Sequence, residues 1–339
     1  MSRIVLGVGT SHSPLLAIPP ELWSDRAKDD LRKTELVLGD GRVLTYDELN
    51  TEVGARYRDR TTAEHFAQQY ATAQAELDIL ARAVAEAEVD ALIVVGDDQD
   101  ELFVRAHLPL MAVYTGEEII THPKNEVNPN LPDWYREANK GYRMDTVHRY
   151  PTDRKLADAL VEGLVAEGVD VAIAGQVDDP VAAGFGHAFG FVMDRLGGGA
   201  QIPMVPIMLN TYFPPNVPRP ARAWQIGEAL AAAVAADGMD RRVAVVASGG
   251  LSHFAVDEDL DRRVLAALAA HDAATLGALD HRGLRSGNSE ILNWIMTGGA
   301  MRGLSVVHQT YLPVQRTEAG TGVGLAFMLW APNEESEHA

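Results

Sequence analysis

The 339-residue chain contains no cysteine. Disulfides, iron–sulfur clusters and thiolate catalysis are thereby excluded, and compartment cannot be read from cysteine usage. Any bound metal must be held by His, Asp, Glu, Asn or Gln, a donor set that suits Fe(II), Mn(II) or Zn(II). Basic residues are scarce. Lys and Arg number 29 against 48 Asp and Glu, a formal net charge of −19. Such a surface disfavours nucleic acid and anionic membranes as partners. No apolar run approaches the roughly 20 residues that span a bilayer. The N-terminal segment MSRIVLGVGTSHSP lacks the basic region and long apolar stretch of a signal peptide. A cytoplasmic protein is the expectation.

What is present is an ordinary globular composition with chain enough for a dry core. Short apolar runs recur at Ile4–Val8, Ala91–Val95, Val243–Ala247, Leu304–Thr310 and Val323–Trp330, with weaker ones at Val169–Ala174 and Val205–Leu209. Runs of this kind suit strands covered on both faces. Helical patterns lie between them, at Thr62–Glu86 (with Thr62 as N-cap), Leu156–Ala166, Arg222–Ala236 and Asp257–Ala269. The alternation predicts a single α/β domain: a central mixed, largely parallel sheet with helices on both faces. Two stretches interrupt it, Pro19–Arg60 and Gly116–Tyr150. Neither is a Gly/Ser linker, and long irregular segments in compact domains usually serve as functional loops. The expected organisation is one catalytic domain over residues 1–332, with insertions at about 19–60 and 116–150, and a flexible tail over 333–339.

Sites in α/β sheets form beyond the carboxyl ends of the strands. The first run is followed by Gly-Thr-Ser-His-Ser-Pro, which places His12 just past a strand end. The second is followed by Gly-Asp-Asp-Gln-Asp-Glu, an acidic cluster carrying Asp97, Asp98 and Gln99. Such a cluster binds a metal, orients a histidine behind one, or is a solvated turn. His187 lies among glycines in Gly184–Gly190, where glycine permits close approach to the backbone. The sharpest feature is Ser248-Gly-Gly-Leu-Ser252-His253, which leaves an imidazole on an open loop after a strand, as acid–base chemistry requires. It is no nucleophile elbow, because Gly-x-Ser-x-Gly is absent. Glu290 opens a helix expected to run to Met301, its carboxylate favoured by the helix dipole. His65, His122 and His148 are held in reserve as further metal donors.

Taken together, GTSHSP, ASGGLSH and GNSEILNW, in this order and spacing, resemble the class III extradiol ring-cleavage dioxygenases, the superfamily of the protocatechuate 4,5-dioxygenase catalytic subunit. The resemblance runs from the first strand to Trp294. It implies a non-haem Fe(II) enzyme that opens a catechol-like aromatic ring with O2. It further implies His12 and Glu290 as iron ligands, His253 as the acid–base residue, and His187 as a residue lining the substrate and O2 pocket. The aromatics Trp134, Tyr135 and Tyr142 then lid that pocket, or form a small hydrophobic core of their own. Asp97, Asp98 and Ser252 are expected around the site. The partners implied are a small aromatic substrate and O2, within a homo-oligomer, with a small partner subunit in some family members.

One position departs from the family. Its second iron-binding histidine sits in an Asn-Asp-His or Pro-Asp-His turn after the second strand; here that turn reads Gly-Asp-Asp-Gln, with Gln99 in its place. Three readings follow. Gln99 ligates as a weaker neutral oxygen donor, another histidine such as His65 or His148 swings in, or Asp97 or Asp98 ligates a metal other than iron. Two further functions compete: a binding protein on the same fold without oxygenase activity, and a metal-dependent hydrolase using His253 to activate water.

Overall fold

The computed structural model describes residues 1–197 and 202–332; the expected tail at 333–339 lies outside the described residues. In chain order the strands are β1 (Arg3–Thr10), β2 (Leu36–Val37), β3 (Val43–Leu44), β4 (Ala91–Asp97), β5 (Met111–Tyr114), β6 (Glu118–Ile120), β7 (Arg149–Pro151), β8 (Ala172–Ala174), β9 (Met204–Leu209), β10 (Arg242–Ser248), β11 (Ser305–Gln315) and β12 (Gly322–Ala331). Eight of them form one sheet in the order β11-β12-β1-β10-β4-β9-β5-β8. β1, β10, β4 and β9 are mutually parallel, while β12 against β1 and β5 against β9 run antiparallel. The expected mixed, largely parallel sheet is observed, in a single α/β domain.

Strand alternation explains the two-sided core. Ile93 and Val95 of β4 face one side, with the helices Arg154–Ala166, Pro220–Ala236, Glu258–Ala269 and Ile291–Ala300. Leu92 and Val94 face the other, with the helices Ala63–Glu86 and His187–Arg195. Successive side chains on a strand point to opposite faces, so an unbroken apolar run feeds both layers. Thr62, Asp153 and Asp257 cap their helices by accepting from backbone N–H groups within the first turn.

The sequence reading differs from the structure at several elements. The strand expected from Val169 begins only at Ala172, because Gly168 adopts φ +75° and Val169 still bonds back to the preceding helix at Leu164. β5, a four-residue strand, was not anticipated. Glu290 does not sit inside an α-helical first turn. It ends a 3-10 turn, Ser286–Glu290, and N-caps the helix Ile291–Ala300. The two interrupting stretches carry their own structure. The first holds the helices Trp23–Asp30 and Tyr46–Val53 and the β2–β3 hairpin; the second holds the β6–β7 pair and the helix Asp133–Gly141.

Candidate active site

The carboxyl ends of β1, β4 and β10 converge on one point. His12 follows β1, Asp97 ends β4, and Ser248 ends β10 and opens the loop to His253. His187 enters from the start of its helix, and Glu290 from its 3-10 turn. Donor atoms of His12, Asp97, His187 and Glu290 all lie within 4.8 Å of one another, a cluster compatible with a metal site.

Hydrogen bonding prepares each donor. Ser248 Oγ donates its proton to the Ala188 carbonyl (2.7 Å), so it accepts from His12 Nδ1–H (3.0 Å). The lone pair is left on His12 Nε2, which is buried without a hydrogen bond among the described residues; Glu290 Oε2 lies 3.2 Å away. A buried, unpartnered imidazole nitrogen facing carboxylates is what a metal donor set looks like before the ion is considered. His187 is prepared in the same way. Its Nδ1 bonds both oxygens of Glu101 (2.9 and 3.1 Å), turning Nε2 toward the cluster. A carboxylate behind the far ring nitrogen fixes tautomer and orientation. Gly186 makes this approach feasible, since a Cβ there would run into the Glu101 carboxylate.

Gln99 stands beside the cluster. Its Nε2 donates to Asp97 Oδ2 (2.8 Å) and lies 3.3 Å from His187 Nε2. Asp97 also accepts weakly from Asn293 Nδ2 (3.3 Å). Asp98 turns away and accepts from the backbone N–H groups of Glu101, Leu102 and Phe103, shaping the loop that presents Glu101. Ser252 also points elsewhere. Its Oγ donates to Asp261 and accepts from Asp257 N–H, anchoring the His253 loop. His65 and His148 do not line the cavity, and His148 is engaged by Asp145.

His253 donates from Nδ1 to the Leu251 carbonyl (2.8 Å), and its Nε2 lies 3.2 Å from Glu290 Oε1. Gly287 leaves room for this ring, where a Cβ would collide with it. Gly250 N–H donates to Glu290 Oε2 (2.6 Å). Burial alone would push Glu290 up, but His253 foremost outweighs it and holds the carboxyl well below the usual range. Burial alone would push the His253 and His187 imidazoles down; Glu290 holds His253 above its ordinary value, and Glu101 holds His187 up at about 9. Burial, and then Glu290, push Asp97 up.

The cluster opens into a cavity of about 210 Å³, lined by His12, His187, His253 and Glu290 together with Trp134, Tyr135 and Tyr142 from the second interrupting stretch. Tyr142 Oη donates to the His12 carbonyl (2.8 Å), tying that stretch to the first strand end.

Residues 63–324 match the family described as the catalytic LigB subunit of aromatic ring-opening dioxygenase. The chain belongs to this family. The matched segment contains Gln99, His187, His253 and Glu290; His12 precedes it. Among curated relatives, 2,3-dihydroxyphenylpropionate/2,3-dihydroxicinnamic acid 1,2-dioxygenase of Rhodococcus jostii is 37% identical over 164 residues, 46% of this chain and 49% of that protein. The enzymes of that name from Paraburkholderia phymatum and Mycolicibacterium smegmatis are each 36% identical over 106 and 104 residues, 30% of either chain. The matches thus span about half the length of these relatives or less. Glu101, which holds His187, is a residue of the site that the sequence did not single out. The acidic turn after β4 carried the hint, since orienting a histidine was one of its readings.

Proposed function

We propose that the protein is a non-haem Fe(II) extradiol-type dioxygenase that opens a catechol-like ring with O2. The observation that carries this is the buried, unpartnered Nε2 of His12 within the cluster of His12, Asp97, His187 and Glu290. With Asp97 engaged by Gln99, His12, His187 and Glu290 would hold the ion, two imidazoles and one carboxylate being the donor set suited to non-haem Fe(II). His187, assigned by resemblance to the pocket, here takes the ligand role that Gln99 vacates. Gln99 steadies Asp97 instead. Fe(II), when bound, supplies the redox chemistry by which a diol reacts with O2.

The rest is done by the chain. Glu101 holds His187 in the donor tautomer. His253, fixed through Nδ1 at Leu251 and facing Glu290 through Nε2, holds a proton at Nε2 and delivers it to the reacting oxygen as negative charge develops there. Trp134, Tyr135 and Tyr142 clasp the ring and exclude water. Residues 1–332 act as one catalytic domain, cytoplasmic and homo-oligomeric.

The test supplies the Fe(II)-loaded protein with 2,3-dihydroxyphenylpropionate and follows oxygen uptake beside product mass. The reading predicts one O2 consumed per diol, a product heavier by both oxygen atoms, and no reaction under argon. Product formation under argon would instead indicate a hydrolase, and metal binding without turnover a binding protein.

A further inference from the structure

The same cavity has a second lining that the ring-opening chemistry leaves unused. Arg26, on the helix Trp23–Asp30, and Arg316, just after β11, both line it. Both converge on one carboxylate. Arg26 Nη1 donates to Asp30 Oδ1 (2.9 Å) and Arg316 Nε to Asp30 Oδ2 (2.7 Å), and Thr321 also donates to Asp30. Two guanidinium groups against one carboxylate leave one positive charge in excess. Arg316 is 5% exposed, and its Nη2 is buried without a hydrogen-bond partner among the described residues. Lys33 adds to the crowding, its ammonium 3.5 Å from the Phe254 ring centroid; burial and Arg26 push it down to about 8. Lys124, the other cation of the cavity, differs, because its ammonium lies 5.3 Å from the Tyr135 ring centroid on the Glu101 side of the cavity, and Glu101 holds it charged against burial.

A buried guanidinium with a free donor is costly unless an anion completes it. In a chain of net charge −19, this excess of positive charge inside a cavity is not a reflection of the surface. Beside Arg26 stand Trp134 and Phe254, whose ring centroids lie 5.0 and 5.9 Å from its guanidinium carbon. Those faces suit an aromatic ring with a charged arm.

We infer that Arg316 and Arg26, braced by Asp30, form a carboxylate subsite, so that the substrate is an aromatic diol with an anionic arm. Arg316 Nη2 supplies the unused donor, and the planar guanidinium matches the two oxygens of a carboxylate. The inference rests on the proposed function for the ring and on the cationic cluster alone for the arm.

The test is calorimetric titration of the Fe(II)-loaded protein under argon, where no turnover occurs. The probes are dihydroxybenzoate, dihydroxyphenylacetate and dihydroxyphenylpropionate, each beside its carboxamide. At least one acid is expected to bind roughly 10- to 100-fold more tightly than its amide, as for hydrogen bonds to charged groups. Arg316→Gln is expected to lower that acid to the level of its amide and leave amide binding unchanged. Arg26→Gln repeats the test should the first variant fail to fold, and the acid–amide contrast in the native protein needs no variant. Equal binding of acids and amides, no binding of any, or an acid preference that survives both substitutions would overturn the subsite. An acid preference without ring opening in air would leave the subsite standing and overturn the oxygenase.

Discussion

The cavity is built from two kinds of residue. One part of its wall comes from the segments after strands β1 and β10 and from two helix starts packed against them: His12, His253, His187 and Glu290. The other comes from the interrupting stretches and the chain beyond β11: Arg26, Trp134, Tyr142 and Arg316. The first part is imidazole and carboxylate, held by hydrogen bonds to Ser248 at the end of β10 and to the loops after β4 and β10. The second is guanidinium and aromatic, held by stacking and one shared carboxylate. On the proposed function, the difference separates chemistry from recognition. Strand ends fix reacting groups to a rigid scaffold, whereas inserted segments can vary in shape without disturbing it.

Substitutions break this division in graded ways. The largest effect is expected from His253→Ala, which should lower turnover roughly 10²–10⁴-fold while metal content stays at the native level. Joint loss of metal would make His253 a ligand and erase the distinction between holding and proton transfer.

Next comes the support beneath the His253 loop. Asp261 accepts from Ser252 N–H, Ser252 Oγ and Tyr311 Oη, and burial pushes its carboxyl up to about 6. The folded protein therefore keeps this proton through a window, from about pH 4 to about pH 6, in which the unfolded chain has released it. Stability from this group is full below the window and declines as pH rises through it, by about 3 kcal/mol. In Asp261→Asn that decline should vanish from the pH dependence of denaturant unfolding. An unchanged slope would mean that Asp261 ionises as freely in the fold as outside it.

Glu101→Gln should weaken metal affinity roughly 10- to 100-fold, read by competition with a chelator, with the fold intact by circular dichroism. Native affinity in this variant would take His187 out of the metal site. The smallest effect belongs to the inserted wall. Trp134→Ala should raise KM up to about tenfold, in keeping with the loss of one ring contact, and leave metal affinity alone. A loss of metal there would show that the two parts of the wall are not separable.

The sequence disclosed the strand-end part far better than the inserted part. His12, Glu290 and His253 each stand in a short motif next to an apolar run, so local pattern suffices to find them. Gln99 was visible as a departure, but its consequence was not. The role of His187 depends on Glu101, which lies 86 positions earlier, and no local pattern reports such a pairing. The glycine before His187 was noticed for close approach; what approaches is the Glu101 carboxylate. Arg26 and Arg316 stand in unremarkable polar surroundings, and only the fold brings both to Asp30. β5 escaped notice for a simpler reason: four apolar residues carry no period.

The most direct test of the central claim is metal content after anaerobic purification and Fe(II) loading, compared across the native protein, Gln99→Ala and His187→Ala. The account predicts stoichiometric iron in the native protein, retained in Gln99→Ala and lost in His187→Ala. Iron lost from Gln99→Ala and kept in His187→Ala would contradict it and return the ligand role to the strand-end position.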